Sequence, residues 1–100
     1  MLEITEGAPG LVLLEGRFDA AQAARAQEVL DGISGDCVLD LQKLDYISSA
    51  GLGVLLRTHK RLMSSGRRLR LVNVNRHILD VLGYSGFDRL FQIEPAGGQG

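Results

Sequence analysis

One hundred residues, 45% of them hydrophobic and 23% charged, make a chain that fits one folded domain and is unlike a disordered or collagen-like protein. Eleven Lys and Arg residues against twelve Asp and Glu residues give a net charge of −1, which argues against a nucleic-acid partner because nucleic-acid-binding surfaces normally carry a basic excess. We expect a cytoplasmic domain that does not insert into a membrane. The chain has a single cysteine, no apolar run near the ~20 residues that cross a bilayer, and no basic N-terminal region.

The first two predicted elements are short strands. In residues 2–6 the apolar Leu2 and Ile4 alternate loosely with polar residues, and residues 11–16 are mostly apolar. Gly7-Ala8-Pro9-Gly10 stands between these two runs. Glycine and proline favour turns, so this pattern predicts a β-hairpin.

A first helix is predicted from Ala20 onwards, where the chain becomes rich in Ala, Gln and Glu. Asp19 directly precedes it and is a candidate N-cap, because its carboxylate could accept the free N–H groups of the first turn. The segment Ser34-Gly35-Asp36 is expected to end the helix. Small and aliphatic residues recur at helical spacing and would form its buried stripe: Ala23, Ala26, Leu30 and Ile33.

A strand and a second helix follow. Residues 37–41 are almost continuously apolar, which is typical of a central strand. We expect a connector over residues 42–49 and a helix over residues 50–65, ended by Gly66. The apolar face of this helix comprises Leu52, Leu55, Leu56, His59, Leu62 and Met63.

The last third of the chain predicts two more strands around a third helix. Residues 69–74 alternate and are rich in Val and Leu, as in a strand. Asn75 is a candidate cap for a helix from Arg76 to about Leu82. After a turn, residues 92–94 form a possible short edge strand.

The predicted order β-β-α-β-α-β-α-β indicates an α/β domain. We expect a small, mainly parallel β-sheet with helices chiefly on one face, formed by residues 1–96, and a flexible C-terminal tail over residues 97–100. Ligands of such sheets bind where the carboxyl ends of strands meet the starts of helices, which here is the segment 40–53.

Two serines and two glycines stand at the start of the second predicted helix. Capping explains one serine, since Ser is a favoured N-cap, but it leaves the other serine and both Gly51 and Gly53 unexplained. Each glycine costs a helix roughly 1 kcal/mol relative to Ala. Glycines let another surface approach the backbone, and a helix start also favours a phosphate.

Enzymatic interpretations of this segment fail on spacing. The third glycine of a dinucleotide fingerprint is Leu56 here, and no Gly-Lys-Ser/Thr of a P-loop occurs. A nucleophile elbow needs Gly two residues before the serine, where Ile47 stands before Ser49. His59 lies on an apolar face and is interpreted as a residue at the edge of the core. No Cys, His and carboxylate cluster has the spacing of a metal site, so we expect neither catalysis nor a metal or cofactor.

The chain resembles the anti-sigma factor antagonist (STAS domain) family. Its signature is matched by Asp40-Leu41 and by residues 44–56, including Asp45-Tyr46-Ile47-Ser48-Ser49-Ala50-Gly51-Leu52-Gly53. The likeness continues in residues 14–21, 66–74 and 81–88. It therefore covers nearly the whole chain, in order and without a large insertion.

The resemblance implies a protein that works by being bound. In this family an anti-sigma factor that is also a serine kinase binds the unmodified antagonist and releases its sigma factor. Phosphorylation of a serine at the start of the second helix ends that binding, and a PP2C-type serine phosphatase restores it. A phosphoserine adds about −1.5 to −2 charges, enough to disrupt a tight, partly apolar interface.

The chain departs from the family pattern near this serine. Many members read Asp-Ser-Ser-Gly or Asp-Ser-Thr-Gly, whereas here Ser48 replaces the acid and Ala50 replaces the hydroxyl residue before the glycine. Three alternatives follow: Ser49 is phosphorylated, Ser48 is, or neither is, and we favour Ser49 at the mouth of the helix. Asp19 matches an acid of the family on the other side of the same surface. The expected partner-binding residues are Asp19, Ser48, Ser49, Ala50, Gly51 and Gly53.

A different function is also open to a domain of this kind. It could be a non-phosphorylated STAS subunit of a membrane transport complex, which the alanine at position 50 favours. A serine hydrolase is disfavoured by the missing base and nucleophile elbow.

Overall fold

The computed structural model describes residues 1–97, which form six strands and three α-helices. The strands are β1 (Leu2–Glu6), β2 (Leu11–Phe18), β3 (Cys37–Asp40), β4 (Leu44–Ile47), β5 (Leu69–Val74) and β6 (Gln92–Pro95). The helices are α1 (Ala23–Asp31), α2 (Ser49–Ser64) and α3 (Arg76–Tyr84), and two short 3-10 turns cover Ala20–Gln22 and Phe87–Arg89.

The strands form one mixed sheet in the order β1-β2-β3-β5-β6, with β4 also paired to β2. The antiparallel pair is the predicted hairpin of β1 and β2, whereas β3, β4, β5 and β6 all join by parallel pairing. The prediction of a small, mainly parallel α/β sheet is confirmed.

Strand β4 differs from the sequence prediction, which gives a connector over residues 42–49. The eight-residue β2 is twice as long as β3, so β3 pairs only with residues 11–13 and leaves the second half of β2 open. Residues 44–47 fill that edge beside residues 16–18. The Arg17 guanidinium lies 4.3 Å from the centre of the Tyr46 ring, which adds a cation–π contact to this pairing.

The helices cover mainly one face of the sheet. Along β3 and β5 the buried residues alternate with partly exposed ones, as expected where one face meets helices and the other meets water. Helices α1 and α2 pack against each other, and α3 packs against β4. The largest fully buried side chains include Leu14, Phe18, Leu39, Leu55, Leu71 and Ile78.

Helix ends agree with the sequence where a local cap sets them. The Asn75 Oδ1 accepts a hydrogen bond from the Ile78 N–H at 3.0 Å and starts α3, and Gly66 has the positive φ of 75° that follows a helix. Helix α1 is shorter than expected, since it begins after a 3-10 turn and ends at Asp31. Of the predicted tail, residues 98–100 lie outside the described part of the chain.

Candidate functional site

Strands β2 and β4 end side by side. They run parallel, with Phe18 opposite Ile47, and the Ser48 N–H donates to the Phe18 carbonyl oxygen at 2.9 Å. The next residues, Asp19 and Ser48, therefore meet at the carboxyl edge of the sheet, where α2 begins. Strand β4, which the sequence does not predict, thus brings together Asp19 and Ser48, two residues that the sequence analysis assigns to one partner-binding surface.

Ser48 is the N-cap of α2. Its backbone is extended, its Oγ accepts a hydrogen bond from the Gly51 N–H at 3.1 Å, and its carbonyl oxygen accepts one from the Leu52 N–H at 2.9 Å. Ser48 is thus the serine that capping explains.

Ser49 is the first residue of α2 and is exposed. Its hydroxyl makes no hydrogen bond to any of residues 1–97. The first turn of α2 contains no acidic residue. An anion on this hydroxyl would be favoured by the positive end of the helix dipole, and no negatively charged side chain within that turn would repel it.

Asp19 does not act as the side-chain cap that its position suggested. The chain enters the 3-10 turn directly after it, and the Gln22 N–H bonds to the Asp19 backbone carbonyl at 3.0 Å instead. The side chain makes no cap hydrogen bond, and its Oδ1 is buried without a partner among the described residues. Asp19 therefore keeps an unused acceptor beside the start of α2.

The two glycines of α2 have opposite environments. Gly51 is buried, and a Cβ there would lie 2.8 Å from Ile47 Cγ1 and 3.0 Å from the Phe18 carbonyl oxygen. It lets α2 sit close to the ends of β2 and β4, so its expected place on a partner-binding surface is corrected to one in the interior. Gly53 is partly exposed, and the three atoms nearest to a Cβ there would all belong to the Arg57 guanidinium, with Nη1 at 3.4 Å.

The outward-facing residues form one surface at the start of α2. We call this the switch surface. It comprises Asp19, Ser48, Ser49, Ala50 and Gly53, all at least partly exposed.

A polar network between α1 and α2 lies beside the switch surface, and sequence reasoning missed it. The Gln27 Oε1 accepts a hydrogen bond from Arg57 Nε at 2.9 Å. Its Nε2 donates to Asp31 Oδ1 at 3.0 Å and to Thr58 Oγ1 at 3.3 Å. The sequence places Arg57 only off the apolar face, and nothing in it signals a residue of α1 as the partner.

His59 lies at the edge of the core, and Cys37 lies within it. The His59 ring packs edge-on against Phe91, with 5.3 Å between ring centres, which confirms the interpretation of a core-edge histidine. Burial raises the pKa of the Cys37 thiol to about 11, an effect that Arg61 partly opposes. The thiol therefore stays protonated near neutral pH and is a poor nucleophile.

No helix within residues 1–97 combines the length and apolar character needed to cross a membrane. The same residues contain no group of three or more His, Cys, Asp or Glu side chains arranged to hold a metal ion.

Sequence comparison finds relatives over almost the whole chain. Residues 2–93 match the family model described as "Mlab, STAS domain". BtrV of Bordetella bronchiseptica, named as an anti-sigma factor antagonist, is 36% identical over 87 residues, which cover 83% of this chain and 75% of BtrV. A STAS-domain-containing protein of Pseudomonas aeruginosa is 24% identical over 95 residues, covering 92% of this chain and 94% of that protein.

Solved structures share the fold. A structure described as an anti-sigma factor antagonist from Thermotoga maritima superposes with a TM-score of 0.76 at 25% identity, covering 93% of this chain and 85% of that chain. The Bacillus protein SpoIIAA in its phosphorylated form gives a TM-score of 0.68 at 16% identity, covering 93% of this chain and 90% of that chain. With a family match over residues 2–93 and a relative at 36% identity, the chain belongs to the anti-sigma factor antagonist (STAS domain) family.

Proposed function

We propose that this domain is a cytoplasmic anti-sigma factor antagonist that binds an anti-sigma factor with serine kinase activity, in a partner-switching pathway that regulates transcription. It acts by being bound and performs no catalysis of its own. The observation that carries the proposal is the exposed Ser49 hydroxyl at the first position of α2, free of hydrogen bonds within residues 1–97. The name of BtrV as an anti-sigma factor antagonist supports the assignment of the partner.

Ser49 is the favoured phosphorylation site, with Ser48 as the alternative. The Ser48 Oγ already accepts the Gly51 N–H, and loss of such a cap typically costs about 1 kcal/mol. The Ser48 side chain is also only partly exposed, whereas Ser49 is exposed. A kinase therefore reaches Ser49 without disturbing the start of the helix.

Phosphorylation ends binding through charge and hydration. The neighbours of Ser49 on the switch surface include Ala50 and Gly53, which are small and let a partner pack closely. A phosphate with about −1.5 to −2 charges would have to lose its hydration in such a contact. A PP2C-type serine phosphatase removes the phosphate and restores binding.

Phosphorylation by the cognate anti-sigma kinase and ATP, followed by mass spectrometry, tests the site. We expect one phosphate on the wild-type chain and none on Ser49→Ala. Ser48→Ala is the matched control and should still accept one phosphate, although its helix start is less stable. Phosphate on residue 48 would move the site by one residue and contradict the choice of Ser49.

A transport-complex subunit is the competing function, and the alanine at position 50 is the observation that favours it. Capture of partners from the native cell lysate separates the two functions. A kinase-like anti-sigma factor supports the proposal. Recovery of transporter subunits instead, with no phosphate added by a kinase that is active on another substrate, contradicts it.

A further inference from the structure

Ser49, Gly53 and Arg57 lie on successive turns along one side of α2. Each is four residues from the next, a spacing that makes side chains neighbours on a helix surface. The Arg57 side chain folds back towards the start of the helix. Its Nη1 lies 3.4 Å, and its Cζ and Nη2 lie 4.0 Å, from the position that a Cβ on Gly53 would occupy. The guanidinium therefore lies over Gly53, about one helical turn of 5.4 Å from the level of Ser49.

Arg57 has unused donors. Its one side-chain hydrogen bond among the described residues joins Nε to Gln27 Oε1 at 2.9 Å, so both Nη groups remain available. None of the ion pairs within residues 1–97 includes it, since these join Arg61 to Asp31, Arg70 to Glu94 and Arg76 to Asp80. Gln27 is neutral, so it holds the guanidinium in place without neutralising its charge.

We propose that Arg57 pairs with the phosphate on Ser49 across Gly53. This inference rests on the proposed function, because it needs a phosphate at that position. Arg and phosphate form strong charge-assisted hydrogen bonds, often two in parallel, and the P–O bonds carry the phosphate oxygens beyond the position of the Ser49 Oγ. The missing side chain at Gly53 keeps the path between the two groups open.

The pairing changes what a partner meets on the switch surface. Without phosphate, Arg57 is an exposed side chain tethered by one hydrogen bond to Gln27. With phosphate, the guanidinium that already lies over Gly53 gains a second partner and is held there from both sides. Phosphorylation thus adds charge at Ser49 and also fixes the side chain that covers Gly53 one turn away.

The other charged groups around Arg57 and the start of α2 include acids and a base. Asp19 lies at the start of α2, and Glu28 and Asp31 line the groove between α1 and α2 together with Arg57. Arg61, one turn after Arg57, pairs with Asp31 at 3.5 Å. These groups are the same in the wild type and in an Arg57 variant, so a difference between the two proteins in the ionisation of the phosphate isolates the contribution of Arg57.

The test uses the full chain with phosphoserine incorporated at position 49 during translation, and it follows the phosphate by 31P NMR as a function of pH. The second pKa of a phosphoserine is about 6, and a nearby cation lowers it because the dianion is stabilised. We expect Arg57→Gln to raise this pKa by about 0.5 unit relative to the wild type in ~0.1 M salt, the size expected for an exposed ion pair. Arg57→Lys keeps the charge and should retain much of the lowering.

Lys60→Gln is the matched control, since it removes the same charge from an exposed position of the same helix, eleven residues from Ser49. It should leave the pKa within about 0.1 unit of the wild type, because the separation exceeds a Debye length of ~10 Å at 0.1 M salt. Equal pKa values in the wild type and Arg57→Gln, or an equal rise in both Gln variants, would overturn the pairing. Because no kinase is used, a kinase that ignores Ser49 contradicts the proposed function and leaves this result standing.

Discussion

Gly51 and Gly53 are only two residues apart in α2 but face opposite sides of the helix, because the helix turns by about 200° between them. Gly51 faces the ends of β2 and β4 and is buried, whereas Gly53 faces outward beneath Arg57. The sequence identifies both glycines as unusual at a helix start but does not tell which one is internal. That distinction depends on β4, because its last residue, Ile47, packs against Gly51.

Substitutions at these glycines should separate stability from binding. In Gly51→Ala the new Cβ would lie 2.8 Å from Ile47 Cγ1 and 3.0 Å from the Phe18 carbonyl, so the free energy of unfolding should fall by about 1–2 kcal/mol in urea titrations. Gly53→Arg should leave that free energy within about 0.5 kcal/mol of the wild type. It should instead weaken binding to the anti-sigma factor, measured by calorimetry, because a large side chain fills the proposed contact.

Gly53→Ala is the control for both measurements. It replaces glycine by a better helix former where the nearest atom is the end of a flexible side chain, so it should not destabilise the domain. A loss of stability in Gly53→Arg equal to that of Gly51→Ala would show that both glycines serve packing, and the switch surface would lose Gly53.

Among the elements, those ended by local signals were predictable and those that depend on distant partners were not. Asn75 and Gly66 mark the start of α3 and the end of α2 through hydrogen bonds and backbone angles within a few residues. Strand β4 has only four residues and owes its existence to the free half of β2, more than twenty residues earlier in the chain. The hydrogen bond between Gln27 and Arg57 joins residues 30 positions apart, so no local sequence pattern predicts it.

Asn75 also joins α3 to the turn between β3 and β4. Besides the cap at Ile78, its Nδ2 donates to three backbone carbonyl oxygens, those of Leu41, Gln42 and Leu44, at 2.8–3.1 Å. We expect Asn75→Ala to lower the free energy of unfolding by about 2–3 kcal/mol, because the cap and the carbonyl partners are lost together. Thermal and urea unfolding followed by circular dichroism measure this effect.

Asn75→Asp is the informative comparison. It retains a cap acceptor for the Ile78 N–H but cannot donate to the three carbonyl oxygens. A cost close to that of alanine would assign the stability to those donor contacts, whereas a near-wild-type value would contradict their importance.

At the scale of the whole molecule, β1 and β6 stand at the two ends of the strand order β1-β2-β3-β5-β6, and each carries a feature that discourages further pairing. Arg25 of α1 donates from Nη2 to the Leu2 carbonyl oxygen on β1. Strand β6 ends at Pro95, which lacks an N–H, and its register with β5 shifts before that residue. A free sheet edge is a template for association with another chain, so these features favour a domain that does not pair with other chains through its sheet edges.

Arg25→Ala should expose the β1 edge. With the Leu2 carbonyl free, we expect concentration-dependent self-association in sedimentation velocity at concentrations where the wild type sediments unchanged. Arg76→Ala, which removes an exposed arginine from α3 and its ion pair with Asp80, is the charge-matched control. Equal association of both variants would indicate an effect of net charge and contradict a specific role of the edge.

The close packing of Gly51 against Phe18 and Ile47 affects the rate at which a partner associates and the conformational entropy that is lost on binding. Gly51 lets the start of α2 pack so closely on the ends of β2 and β4 that an added Cβ would lie 2.8 Å from Ile47 Cγ1. Close packing of this kind orders the surface that a partner meets before contact. A preorganised surface loses little conformational entropy on association. Encounter rates with a partner should then respond mainly to the charges displayed there, and a single added phosphate can change them without any rearrangement of the backbone.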